Sequence, residues 1–288
     1  MIGVLKTVKA MAQTGGNAWR KDDVLQRARF ALHHGQAQEA EFLAGDILSV
    51  DARDTQAITV LGYALLMQNR AEHAIKVLEP AARAVRDPEI DTQLGLALRQ
   101  AGRNEDAIAR FKRATKRKPS FPAAFLELGS LLADLNRYDE AIDALTEGLD
   151  ASPMPEVSSK LGQIFLLRRD YGKAKSAFIR ALQLAPDNPE ALWGQGKAHQ
   201  GLGENREAAD CFQRCLAQAP GDIGTLLNLG HSLLEIGDTE AGYDCFRQAA
   251  RYDQKGYAGA LATLVKSGRG RFWLKPSQAS KFLRRTDG

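Results

Sequence analysis

Apolar residues recur along this chain at helical spacing, in paired stretches separated by short polar turns. Leu226, Leu229, Gly230 and Leu233 stand at i, i+3, i+4 and i+7, the spacing that turns one face of a helix into a core. The stretch before it, with Ala208, Phe212, Cys215 and Leu216, is amphipathic in the same way. Between such pairs fall glycines, among them Gly102 and Gly203, where a helix turn needs positive φ. The pattern predicts helical hairpins.

The hairpins repeat. Glycines 62, 95, 129, 162, 196 and 230 are 33 or 34 residues apart, and a leucine precedes five of them. Twelve residues after five of these glycines stand Ala74, Ala107, Ala141, Ala174 and Ala208, each followed four residues on by Leu78, Phe111, Leu145, Phe178 or Phe212. Small residues let two helices approach closely, and a bulky side chain then fills the gap to the next hairpin. Eight of the ten prolines sit at junctions between units. Asp187-Asn188-Pro189-Glu190 shows why: a capping side chain, proline in the first turn and an acid near the positive end of the dipole.

With the glycine placed eighth, units begin near residues 55, 88, 122, 155, 189 and 223, and a weaker one begins near 21, where Ala28 replaces the glycine. This resembles the tetratricopeptide repeat (TPR) family, whose unit is about 34 residues of helix–turn–helix with small residues and an aromatic at these offsets. The resemblance implies an all-α, right-handed superhelical solenoid of seven repeats over residues 21–254. An N-terminal leader would occupy 1–20, and a C-terminal capping helix and basic tail 255–288. Tyr257–Lys266 reads as one more helix, and Met1–Ala12 as cover for the other end. Pro80 is expected to kink or shorten the second helix of its unit. Gly242 departs from the usual alanine.

In the family the first helix of each hairpin lines a concave groove through positions near 2, 5, 9 and 12. The resemblance therefore points to Tyr63, Thr92, Arg99, Gln163, Trp193, Lys197, Asn228 and His231 as groove residues, with Thr59, Ser130, Ser159 and Gln200 on the same stripe. Trp193 is a large aromatic off the packing stripe, and Lys197 is one turn away, placed to meet a carboxylate. Two specialised modes do not carry over. A carboxylate clamp needs Lys and Asn at positions 5 and 9 of one repeat, which no unit has, and of an asparagine ladder at position 6 only Asn228 is present. Adaptable binding of an extended protein or peptide segment is what remains.

Composition narrows the alternatives. At 288 residues, 44% hydrophobic and 26% charged, the chain buries enough apolar surface to fold, and it has no run of about 20 apolar residues. Met1–Lys6 breaks its apolar run too early for a secretory signal, and three cysteines do not make a disulfide framework. A soluble, cytoplasmic protein is expected. The net charge of +4 is uneven: residues 255–288 hold eight of 39 basic residues and one of 35 acidic ones, leaving 31 against 34 in the first 254. In that tail Arg269, Arg271, Lys275, Lys281, Arg284 and Arg285 alternate with Phe272, Trp273, Leu274, Phe282 and Leu283. Cations among aromatics suit single-stranded nucleic acid or an anionic membrane. The favoured alternative docks the apolar residues on the end of the repeat stack. A second basic cluster, Arg110, Lys112, Arg113, Lys116, Arg117 and Lys118, exceeds what helix capping needs and raises the prospect of an acidic partner.

Nothing in the chain resembles an active site. Cys211 and Cys215 share a helical face but occupy packing positions, His33 and His34 diverge on a helix, and Gly268–Arg271 lacks the rest of a phosphate loop. No catalytic residue, metal or cofactor is expected. The reading is a non-catalytic TPR scaffold. The other readings are an adaptor acting through the basic tail and a substrate-recruiting module for a separate transferase.

Overall fold

The computed structural model describes residues 17–119, 121–266 and 276–284, and it has sixteen helices and no strand among them. They pair into seven hairpins: α1 (Asn17–His33) with α2 (Ala37–Val50), α3 (Thr55–Met67) with α4 (Ala71–Ala84), and α5 (Pro88–Gln100) with α6 (Asn104–Thr115). Next come α7 (Pro122–Asp134) with α8 (Tyr138–Ala151), α9 (Pro155–Leu167) with α10 (Tyr171–Leu184), α11 (Pro189–Leu202) with α12 (Asn205–Gln218), and α13 (Ile223–Ile236) with α14 (Thr239–Tyr252). Two single helices follow, α15 (Gln254–Lys266) and α16 (Pro276–Leu283). The chain divides into two compact units, residues 1–144 and 145–288, with the boundary inside α8.

Local chemistry sets the helix ends. Asp54, Asp87, Asn188 and Asp222 each accept a hydrogen bond from a backbone N–H of the helix that follows. Proline opens α5, α7, α9 and α11, where its missing N–H removes no helical bond. All seven hairpins turn through one left-handed residue at the same place in the repeat: Gly35, Asn69, Gly102, Asn136, Arg169, Gly203 and Gly237. Only Arg169, at φ 58°, is a residue with a steric penalty there and no compensating short polar side chain. Replacing Arg169 with glycine is expected to raise stability by about 1 kcal/mol, read as a higher urea midpoint at unchanged m-value.

The glycine–aromatic pairing predicted from the repeat is the core. In the first unit, a Cβ on Gly95 would lie 2.5 Å from the ring of Phe111. In the second, a Cβ on Gly162 would lie 2.8 Å from Phe178, and one on Gly196 2.6 Å from Phe212. All three rings are completely buried. Gly242 has a local cause: a Cβ there would come within 3.0 Å of the Gly230 carbonyl, so two backbones touch where other repeats carry alanine.

Pro80 does not shorten its helix. Helix α4 runs through it and keeps 14 residues, as long as most second helices. Pro80 and Lys76 are both solvent-exposed, so the carbonyl that loses its N–H partner is on the wet side of the helix, where water satisfies it.

At the C-terminal end, α15 and α16 complete the core of the second unit. Ala260, Leu264, Ala279, Phe282 and Leu283 pack with Leu234, Tyr243 and Phe246. The Phe282 ring meets Tyr243 edge-on at 5.0 Å, with the Arg247 guanidinium 5.2 Å above it. Cover by Met1–Ala12 falls outside the described residues. No described helix is long and apolar enough to cross a membrane.

Candidate peptide-binding surface

In each unit the first helices of neighbouring hairpins touch: α3 lies on α1 and α5, and α11 lies on α9 and α13. The second helices α2 and α4, α4 and α6, α10 and α12, and α12 and α14 make no such contact. The first helices therefore line the inner side of each stack. Which of their side chains remain open is decided by packing.

In the first unit the inner face is largely self-neutralised. Tyr63 is half-buried in a cleft of about 420 Å³ with Arg29, His33, Met67 and Glu89. Burial, then the nearby Glu89, pushes its phenol above the usual tyrosine value. Arg99 donates to Glu127 at 3.2 Å and also to Asp134, so its charge is spent on the next hairpin. Thr92 is not a groove residue. It is 1% exposed, and its hydroxyl donates to the Pro88 carbonyl at 2.7 Å. Thr59 and Ser159, at the same repeat position, are buried as well. With a small side chain, that position lies within the helix–helix contact instead of on the open face.

The second unit is different. Trp193 occupies the equivalent position, is too large to be enclosed, and is 38% exposed. One turn on, the half-buried Lys197 Nζ donates to the side-chain carbonyls of Gln200 and Asn228, each at 3.1 Å. Gln200 is held in turn by the Asn228 carbonyl at 3.0 Å and the Ser232 hydroxyl at 2.9 Å, and Asn228 donates to the Gly224 carbonyl at 2.8 Å. Lys197 has no carboxylate partner among the described residues, and burial alone pushes its pKa below the ordinary lysine value. The result is a desolvated cation fixed by neutral amides beside an open indole. His231 is half-buried one turn after Asn228. Gln163 is engaged through its amide with the Glu190 carboxylate. The structure thus joins Lys197 to Asn228 and leaves Trp193 open, whereas Tyr63 and Arg99 belong to the other unit. Ser232, which locks the arrangement, carried no signal in the sequence because it stands at an interior repeat position.

The basic segments find internal explanations. Asp91 is wholly buried and accepts from Arg113 Nε and from Arg117 Nε, each at 2.9 Å. Lys112 pairs with Glu140 at 3.3 Å, and Arg110 is 3.9 Å from Glu79. Four of the six cations in that cluster therefore have carboxylate partners, which removes the reason to invoke an acidic partner there. In the tail, Phe282 and Leu283 are buried while Lys281 and Arg284 face solvent, Arg284 over the Tyr257 ring at 5.6 Å. Arg269, Arg271, Lys275 and Arg285 fall outside the described residues.

Of the candidates for chemistry, the cysteines are packing residues and His33 and His34 are solvent-exposed. Cys211, Cys215 and Cys245 are free and buried, and burial pushes each thiol up to about 11, so all three stay protonated and unreactive at neutral pH. His34 Nδ1 lies 2.8 Å from its own helix's Phe30 carbonyl oxygen. Among the described residues no group of three His, Cys, Asp or Glu could hold a metal ion.

Helical hairpins stacked in tandem, first helix on first helix, define a helical repeat array. The tetratricopeptide repeat model matches residues 92–153 and 159–223, and a second such model matches 223–255, together more than half of the chain. The chain belongs to the tetratricopeptide repeat family. Its members are generally non-catalytic scaffolds for protein interaction.

Among curated proteins it is similar to human tetratricopeptide repeat protein 13, 26% identical over 109 residues, which are 38% of this chain and 13% of that protein. It is also similar to small glutamine-rich tetratricopeptide repeat-containing protein 2 of Mycosarcoma maydis, 38% identical over 64 residues, 22% of this chain and 18% of that protein. This chain thus spans less than a fifth of the length of each of these relatives. Among solved structures it shares its fold with the C-terminal part of a TPR repeat-containing protein from Cytophaga hutchinsonii. The TM-score is 0.63 at 16% identity, covering 82% of this chain and 98% of that one. YrrB, described as a TPR protein with an unusual peptide-binding site, has a TM-score of 0.58 at 20% identity, covering 66% of this chain and 98% of YrrB.

Proposed function

We propose that this protein is a cytoplasmic scaffold without catalysis of its own, and that the inner face of its second unit holds an extended, acidic segment of a partner protein. The observation that carries the reading is the pair formed by Trp193 and Lys197. A half-buried ammonium without an anion is costly to maintain, and a ligand carboxylate would relieve that cost while an apolar neighbour covers the indole. Amide anchoring of Lys197 through Gln200 and Asn228 means that little side-chain entropy is lost on binding.

The test is capture of peptides from an array of extended acidic and apolar sequences by the full chain. Trp193→Ala is expected to weaken captured peptides by roughly tenfold or more, an effect of hot-spot size. Lys197→Met is expected to do the same and to flatten the salt dependence. Because the folded pKa of Lys197 is lowered, binding should decline as pH rises through that lowered value, before ordinary lysines lose their protons. Undiminished capture by both variants defeats the assignment.

A further inference from the structure

A second cleft lies away from the inner face, between α8, α9 and α10 of the second unit. It has a volume of about 340 Å³, with apolar walls from Leu149, Leu161 and Phe165, and Ser158, Lys173 and Arg180 also line it. Ser158 is completely buried, and its hydroxyl has no hydrogen-bond partner among the described residues. A buried hydroxyl left in this state is destabilising, because it has given up water without gaining a partner. Lys173 is paired with Asp170 at 3.1 Å and lies 5.6 Å from the centre of the Phe165 ring. Arg180 is solvent-exposed and has no carboxylate partner among the described residues. The polar lining is two cations and two serines, of which Ser176 donates to the Gly172 carbonyl, and no acid lines the cleft.

The first unit shows what this arrangement is built to hold. In the repeat beginning at residue 88, the places of Ser158 and Arg180 are taken by Asp91 and Arg113. There the buried carboxylate receives the guanidinium directly, and Arg113 also lines a corresponding cleft of about 310 Å³ with Leu94, Leu98, Glu79 and Asp106. In that repeat the arginine reaches the side chain at the other position. In the repeat beginning at 155 the arginine is kept and the acid is replaced by serine, which leaves a fork of donors and a hydroxyl without an acceptor. The repeat beginning at 189 is the contrast: Leu192 stands in the place of Ser158, and its arginine, Arg214, donates to the Pro186 carbonyl at 2.8 Å and lies 3.8 Å from Asp187.

We propose that the cleft between α8, α9 and α10 binds a carboxylate carried on an apolar stem, with Arg180 and the Ser158 hydroxyl donating to the carboxylate and Leu149, Leu161 and Phe165 enclosing the stem. A small aliphatic acid and a glutamate side chain of a partner protein share this chemistry. The site is independent of the Trp193–Lys197 surface, so either can fail alone.

The experiment titrates the full chain with pentanoate, with acetyl-Ala-Ala-Glu-Ala-Ala-amide and with pentanol, following the Arg180 Nε–H and Ser158 amide signals by NMR. Saturable shifts are expected with at least one of the two acids, weakened tenfold or more in Arg180→Gln, with no saturation by pentanol. Tighter binding of pentanoate identifies a small acid as the source, and tighter binding of the peptide identifies a protein side chain. A second measurement needs no ligand. Ser158→Asp should restore the Asp91-type pairing, raising Tm in the wild-type background and lowering it in Arg180→Gln. The proposal is overturned if neither acid saturates, if pentanol matches them, if Arg180→Gln binds unchanged, or if Ser158→Asp shifts Tm equally in both backgrounds.

Discussion

Phe178→Ala is expected to cost about 3–5 kcal/mol, among the largest effects of any single side-chain truncation in this protein. The ring is completely buried, and glycines on two sides exist to make room for it. Gly162 of the same hairpin and Gly194 of the next both face it so closely that neither position tolerates a Cβ while the ring stays in place. The buried residues around it, Ala174, Ala181, Ala191 and Ala198, are too short to fill the space that the ring would vacate, and the larger Phe165, Leu166 and Leu182 pack at the edge of the cluster. Truncation would therefore remove the transfer free energy and leave a cavity as well. Leucine occupies the same place in two other repeats, as Leu78 and Leu145, and both are fully buried. Phe178→Leu should accordingly cost much less, about 1–1.5 kcal/mol. Urea unfolding followed by circular dichroism checks both. A repeat array unfolds as neighbouring units coupled pairwise, so the alanine variant should also broaden the transition as that coupling weakens. Equal midpoints for the two variants would refute the filling role of the ring.

Asp91→Asn should be nearly as damaging, at about 3 kcal/mol. The carboxylate is wholly enclosed and bridges Arg113 and Arg117, and Arg113 also donates to the Ala82 carbonyl of the preceding hairpin at 2.8 Å. Asparagine offers one acceptor oxygen where three N–H groups now converge, and it leaves two guanidinium charges without an anion. Arg113 is itself partly exposed, so water would soften part of the loss. The geometry predicts a specific rescue: Asp91→Leu combined with Arg113→Met should recover stability relative to Asp91→Leu alone, since a removed pair costs less than a broken one. Arg110→Gln, by contrast, should leave the melting temperature within error, because its carboxylate is 3.9 Å away at the surface. Destabilisation by Arg110→Gln comparable to that of Asp91→Asn would show that general charge, and not the buried bridge, holds this region.

Much of this was legible in the chain. The period of 33 or 34 residues, the glycine facing an aromatic, and the prolines at helix starts each describe contacts within a hairpin or to its immediate neighbour, which a repeat must state again in every copy. The turn residue is the clearest case: glycine or asparagine stands there six times out of seven. The docking of Phe282 and Leu283 was likewise foreseeable, because an amphipathic segment follows a repeat stack whose end must be covered.

Other features depended on distances that no periodicity carries. The basic cluster at 110–118 exceeds what helix capping needs, and the fold accounts for the excess by placing Asp91, some twenty residues earlier, against it. Thr92 shares a stripe with Trp193 in the sequence, yet a threonine is small enough to be enclosed between helices and a tryptophan is not. The cation at Lys197 is significant only because Gln200 and Asn228 hold it and no acid reaches it, which a net-charge count cannot reveal.

The sequence alone determined the architecture, because helical periodicity and a repeated set of small and bulky residues leave a chain one economical way to bury its apolar faces. Only the tertiary structure decided which charges are spent and which are left to bind. That depends on how far a side chain reaches into the neighbouring hairpin, and the answer differs between Asp91 and Ser158 although they occupy the same place in the repeat.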